Sequence, residues 1–218
     1  MKMFGDYTEM LKNRFDVIDG VSPWMWVAQD DGAWTGPKAD WEQQHKQVWL
    51  KHVKNFDVVV QAGGNCGLYP RLLANHFKRV YTFEPDPLNF HCLVNNNQLN
   101  NVFKFQAALG SEHRLISVAR GGFSNVGTHT VSDNLDLEIS HVPMVTLDSF
   151  NLDKCDFIQL DVENYEPSVL KGASLTINKY RPVITCENGH VEGVMSIMNN
   201  LGYKVADKSG ADTLFVPE

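Results

Sequence analysis

The sequence predicts an α/β domain with a mostly parallel seven-stranded sheet, helices on both faces and an N-terminal extension. Three observations carry this reading. From Phe56 onward, apolar runs rich in β-branched residues alternate with stretches of helical spacing, as in strands joined by crossover helices. The first run, Val58 to Ala62, enters Gly63-Gly64-Asn65-Cys66-Gly67 directly, which is a buried strand opening a glycine-rich turn. At the end, Tyr203 to Ala206 and Thr213 to Val216 form two short runs suited to an antiparallel pair.

The elements follow in order. The first 57 residues hold all five tryptophans (Trp24, Trp26, Trp34, Trp41 and Trp49), with turn signals at Ser22-Pro23, Asp31-Gly32 and Gly36-Pro37. A helix is predicted over Asp40 to Val53, capped by Asp40, with Trp41, His45, Val48, Trp49 and His52 on one side. Packing of the extension onto the domain accounts for most of these tryptophans. Trp34, between turn signals, is read either in that way or as a lid over the ligand. The division expected is 1–55 for the extension and 56–218 for the main domain.

After the first strand, Leu68 to Phe77 reads as a helix and Arg79 to Phe83 as the second strand. Leu88 to Asn97 is helical, with Phe90, Leu93 and Val94 on its buried face. Val102 to Ala107 is the third strand, and Gly110 to Val142 is less regular, with a loop at 121–125 between short strands. Phe157 to Leu160 is a strand ending on Asp161, followed by a helix over Glu166 to Ile177. Pro182 to Cys186 is a strand ending on Glu187, followed by a helix over Glu192 to Leu201.

Composition narrows the function. Hydrophobic residues make up 43% of the 218 residues and charged residues 21%, enough for a packed core. The net charge of −7 comes without a basic stripe, which places nucleic acid low among partners. Cys66, Cys92, Cys155 and Cys186 form no C-x-x-C pair, so zinc and redox motifs lack their spacing and buried free thiols are expected. Met1 to Phe15 has no apolar signal core, and no run approaches the ~20 apolar residues of a membrane span. A cytoplasmic protein is the expectation.

Chemistry is expected at the carboxyl ends of the strands, where ligands of Rossmann-like sheets bind at the reversal of strand order. The glycine-rich turn lets a ligand approach the backbone, and the next helix offers free N–H groups. Glu84, ending the second strand in Phe83-Glu84-Pro85, stands about 20 residues after the turn, where a carboxylate accepts the ribose hydroxyls of an adenosine. A glycine turn also arises for steric reasons alone, and a strand-end Glu also arises as a solvated loop residue. Together they point to an adenosine-containing ligand. The Gly-Gly-Asn-Cys-Gly order departs from G-x-G-x-x-G and so disfavours NAD.

Three segments resemble the FkbM family of S-adenosylmethionine-dependent methyltransferases. Val59-Val60-Gln61-Ala62-Gly63-Gly64-Asn65-Cys66-Gly67 is similar to V-V-D-V-G-A-N-x-G. Phe83-Glu84-Pro85-Asp86-Pro87, with Asn89-Phe90 following, is similar to F-E-P-x-P-x-N-F. Ile158 to Ala173, preceded by Val145-Thr146-Leu147-Asp148, resembles I-K-I-D-V-E-G-x-E-x-x-V-L-K-G-A. The resemblance runs from about Phe56 to Glu187 and implies a class I, Rossmann-like methyltransferase using S-adenosylmethionine. The cofactor set it implies is Gln61, Gly63, Gly64, Asn65, Gly67, Glu84, Pro85, Ala107 and Asp161.

Two departures stand out. Gln61 replaces the family's acid and would accept the cofactor's ammonium without charge assistance. Asn164 replaces the glycine of D-V-E-G, a mild change if positive φ is needed there. Methyl transfer to a hydroxyl needs a proton acceptor or a metal. Asp161 is the first candidate base, then Glu163, then His190 in Glu187-Asn188-Gly189-His190; His113, His129 and His141 read as surface or turn histidines. Asp161, Glu187 and Asn188 also resemble the Mg²⁺ ligands of catechol-type O-methyltransferases. Two rivals remain: a non-catalytic adenosine-binding module, with Gln61 as a mark of decay, and an NAD-dependent oxidoreductase.

Overall fold

The computed structural model describes residues 11–14, 20–27, 39–119, 126–134, 140–189 and 191–218. An antiparallel pair, β1 (Leu11–Arg14) and β2 (Trp24–Val27), precedes α1 (Ala39–Leu50). Then come β3 (Val58–Ala62), α2 (Leu68–Ala74), β4 (Arg79–Phe83), α3 (Pro87–Asn96) and β5 (Val102–Phe105). An insertion carries β6 (Ala108–Leu109), β7 (Arg114–Ala119), β8 (Thr130–Ser132) and β9 (His141–Val145). The chain resumes with β10 (Phe157–Leu160), α4 (Glu166–Gly172), α5 (Ser174–Tyr180) and β11 (Val183–Glu187). It closes with α6 (Glu192–Asn200), β12 (Tyr203–Ser209) and β13 (Asp212–Pro217).

Seven strands form one sheet in the order β12-β13-β11-β10-β3-β4-β5. The five strands from β11 to β5 pair in parallel, whereas β13 runs antiparallel to both β11 and β12. The sheet is therefore mixed, because the last connection is a tight turn that reverses the chain. β3, β4 and β5 step one way across the sheet while β10 and β11 step the other. The switch point lies between β3 and β10, and both are buried along their length.

Successive residues of β3 serve opposite faces. Val58 and Val60 join a core with Leu160, Val169, Ile177 and Met198, contributed by β10, α4, α5 and α6. Val59 joins Trp49, Leu73, Phe77 and Phe157 on the other side. This alternation follows from the two-residue period of a strand, and each such residue contributes ~1.5–3 kcal/mol by leaving water. Trp49 lies 5.2 Å from the Tyr69 ring and 6.1 Å from Phe157. Lys51 and His52 reach Asp207 at 2.8 and 3.2 Å, tying the end of α1 to β12.

Three sequence expectations need correction. The stretch read as irregular between Gly110 and Val142 contributes a four-stranded sheet, β6-β9-β7-β8; its strands are short and its loops obscure their alternation. The helix expected over Glu166 to Ile177 is two helices broken at Ala173 (φ −111°). The Asp148 carboxylate accepts from Leu175 N and Thr176 N at 3.0 and 2.8 Å and so restarts the helix as an external cap. On α3 the buried face is Leu88, Asn89, Cys92, Leu93 and Asn96, with Phe90 and Val94 half-buried beside it. Asn96 is buried because it exchanges hydrogen bonds with Met25 N and O at 2.9 and 2.7 Å and donates to Cys66 O at 2.8 Å.

Trp24 and Trp49 are fully buried, as packing of the extension requires. Trp34 lies outside the described residues, and so does the lid reading built on it. All four cysteines are free and buried. Among the described residues, no helix is long and apolar enough to cross a membrane.

Candidate cofactor and acceptor site

A cavity of about 360 Å³ opens at the carboxyl ends of β3, β4, β10 and β11. One side is the glycine-rich turn. Gly63 has φ 83°, and a Cβ there would stand 1.7 Å from the Asp161 carbonyl oxygen, so the turn and the end of β10 touch only because this residue is glycine. Gly63 N and Gly64 N both donate to Phe83 O at 3.0 Å, which locks the turn to β4. Gly63, Gly64, Asn65 and Cys66 line the cavity beside Glu84, Pro85 and Asn89.

Glu84 is buried, and its carboxylate is already engaged. Oε2 accepts from Asn65 N at 2.7 Å and Oε1 from Asp86 N at 2.8 Å. Burial, and then the neighbouring Asp86 charge, push its pKa up to about 8 despite these bonds. Each oxygen keeps acceptor capacity for a further donor.

The structure holds Gln61 away from the cavity wall. Its side chain is fully buried; the amide donates to Gly63 O at 2.9 Å and the carbonyl accepts from the Thr82 hydroxyl at 2.5 Å. Both ends are used inside the protein, so the direct contact expected from Gln61 to a ligand ammonium is not what the geometry offers. Gly67 (φ 97°) caps α2 and Ala107 is buried; the wall is formed instead by their neighbours Cys66, Leu68, Ala108 and Leu109.

Acids form the opposite side. Asp161, Glu163 and Glu187 place carboxylate oxygens within 4.8 Å of one another. Burial, then the neighbouring Glu187, push the Asp161 carboxyl well above the usual carboxylate range. Burial, then Glu187 and Glu166, push Glu163 up to about 7. Glu163 and Asn164 have φ 52° and 73°, a left-handed turn that explains why Asn is tolerated in place of glycine.

Of the expected trio Asp161, Glu187 and Asn188, the two acids line the cavity together and Asn188 stands outside its lining. Asn188 turns in the left-handed region (φ 51°), its N–H bonds Ala211 O at 3.0 Å, and it does not line the cavity. Glu163 takes the third place. His190 lies outside the described residues.

Two histidines line the cavity: His45, expected on one side of its helix, and His129, expected as a surface or turn histidine. His45, from α1, is buried with Nδ1 3.2 Å from Asp212 Oδ2. His129, from the turn before β8, has Nδ1 3.2 Å from Asp86 Oδ2. Neither has a local motif, because both partners are distant in sequence; the only signal was the position of Asp86 beside Glu84.

Comparison with known proteins bears on this arrangement. Residues 58–205 match the Methyltransferase FkbM domain. The chain is 27% identical over 146 residues to the hexuronic acid methyltransferase AglP of Haloferax volcanii, covering 66% of this chain. It spans 61% of that relative's length. Among solved structures it resembles methyltransferase FkbM from Methylobacillus flagellatus (TM-score 0.55, 17% identity, 76% of this chain and 45% of that one). It also resembles precorrin 8w decarboxylase from Methanobacterium thermoautotrophicum (TM-score 0.51, 13% identity, 81% and 90%). At these identities the two structures speak for the fold alone, while the domain match covers most of the chain from the glycine-rich strand through α6. This chain therefore belongs to the FkbM methyltransferase family.

Proposed function

We propose that the chain is an S-adenosylmethionine-dependent methyltransferase acting on a hydroxyl of a small-molecule or sugar-like acceptor. The observation that carries this reading is one cavity at the switch point with two unlike halves: a glycine turn with buried Glu84, and the acids Asp161, Glu163 and Glu187. The residues fit the cofactor. Glycines at 63 and 64 leave a stretch of wall without side chains, Glu84 offers a carboxylate for ribose hydroxyls, and the volume is within the usual range for such ligands. When bound, the cofactor supplies an electrophilic methyl group on a sulfonium.

The protein's part is alignment and proton handling. Glu84 and the Asn65 turn hold the adenosine end. The Asp161 carboxyl, raised by burial and by the neighbouring Glu187, lines the same space and can hold the acceptor hydroxyl in place. Glu163, at about 7, is matched to take the hydroxyl proton as the new C–O bond forms and the C–S bond breaks. Held geometry supplies much of the remaining rate.

Among the described residues the wall carries acids and two histidines, His45 and His129, a set that suits a hydroxyl acceptor without choosing between neutral sugars and uronates. The non-catalytic reading loses its support, since Gln61 is not at the cavity wall. No step is assigned to Mg²⁺: Asn188 does not line the cavity, and burial favours the protonated forms of Asp161 and Glu163. Calorimetry with S-adenosylmethionine and S-adenosylhomocysteine, followed by turnover on neutral sugars, uronates and simple alcohols, tests the proposal. Absence of cofactor binding would overturn it, as would failure to turn over any of these hydroxyl acceptors.

A further inference from the structure

Besides Ala108 and Leu109, the insertion between β5 and β10 sends a second short segment into the cavity: Gly127, Thr128, His129 and Val131 line it. That segment is fastened at two points. His129 Nδ1 stands 3.2 Å from Asp86 Oδ2, with the His129 side chain 8% exposed and Asp86 wholly buried. Asp86 is a fixed support, because its other oxygen caps α3 by accepting from Leu88 N and Asn89 N at 2.8 and 3.2 Å. Its own N–H bonds Glu84 Oε1. One residue beyond His129, the Thr130 hydroxyl donates to Glu163 O at 3.1 Å.

Adjacent residues therefore touch both halves of the cavity. His129 reads the Glu-Pro-Asp segment that carries Glu84, and Thr130 holds the left-handed turn that aims Glu163. The His129–Asp86 approach is at ion-pair distance but is not aligned as a hydrogen bond, as is common at sites that tighten only around a ligand.

We infer that His129 is a positioning residue through which a ligand seated against Glu84 sets the Glu163 turn. This rests on the cofactor assignment above. With Nδ1 facing Asp86, Nε2 is the nitrogen left to meet a ligand on the adenosine side. Drawing the ring into line moves Thr130 and, through its hydroxyl, the backbone of Glu163. Filling one half of the cavity thus orders the proton acceptor in the other, a coupling between two sites that is reciprocal.

Hydrogen exchange with S-adenosylhomocysteine as the probe tests this on the full chain. In the wild type, saturating probe slows exchange in both 126–132 and 161–165. His129→Ala binds the probe about tenfold more weakly and, at saturation, loses the slowing in 161–165; His129→Gln, which keeps a donor toward Asp86, recovers part of it. Thr130→Val keeps probe affinity and the slowing in 126–132 but loses that in 161–165. Undiminished slowing at 161–165 in His129→Ala, or in Thr130→Val should the first variant fold poorly, would overturn the inference. Failure of the wild type to bind the probe would instead strike down the cofactor assignment on which it rests.

Discussion

Gln61 and Thr82 join neighbouring strands beneath the glycine-rich turn: the Gln61 carbonyl accepts the Thr82 hydroxyl at 2.5 Å, while its amide reaches Gly63 O at 2.9 Å. The side chain is a brace for the turn. Gln61→Asp, which restores the family's usual acid, removes the donor to Gly63 O and buries a charge against that carbonyl. The expected result is a loss of ~1–3 kcal/mol of stability, seen by denaturant unfolding, with no gain in S-adenosylhomocysteine affinity. Tighter binding by this variant would mean that position 61 meets the ligand after all.

Stability should fall as pH rises through neutrality. Glu84 and Glu163 are raised to about 8 and about 7, and Asp161 is raised by burial and Glu187. A carboxyl raised on folding binds its proton more readily in the folded state. Its contribution is full below the ordinary carboxylate range and is lost as pH passes the folded value. The thermal midpoint of the free protein should therefore be higher at pH 5.5 than at pH 8.5. Glu84→Gln should flatten the upper part of that decline.

Cofactor affinity should move the other way. Ribose hydroxyls bond best to ionised Glu84, so binding strengthens as pH rises toward 8. Calorimetry across pH 6 to 9 checks this; in Glu84→Gln the affinity is lower and the slope disappears.

Glu163→Gln should lower turnover by about 10²–10⁴-fold, the range for loss of a positioned base, while changing cofactor affinity little. The wild-type rate should rise through an apparent pKa near 7. An unaltered pH–rate profile in the variant would return the proton to Asp161 or to His190.

Turnover should survive EDTA. A cation among Asp161, Glu163 and Glu187 would have to compete with protons for carboxyls that burial raises. Activity abolished by EDTA and restored by Mg²⁺ would reinstate a metal at these carboxylates, with Glu163 in the place expected for Asn188.

The parallel core was legible because its signals are local: β-branched runs, a glycine turn entered directly from a strand, and acids at strand ends. Asp161, Glu163 and Glu187 were all singled out, yet which of them meet depended on the left-handed turns at Glu163 and Asn188. Periodicity does not report such turns. Short strands were expected in the insertion, but their pairing into one sheet was not, since they are two to six residues long and pair out of chain order. His45 and His129 were out of reach because their carboxylate partners are set by tertiary packing, and Gln61 was misplaced because a motif position does not say which way a buried amide turns.

The Asn96 side chain holds Met25 by both its backbone groups and Cys66 by its carbonyl. Its partners lie 71 and 30 residues away in the chain, so one side chain ties the N-terminal pair to the glycine-rich turn. With Met25 displaced, Asn96 would have only Cys66 O and water to satisfy it, and the turn would lose a neighbour that limits its movement.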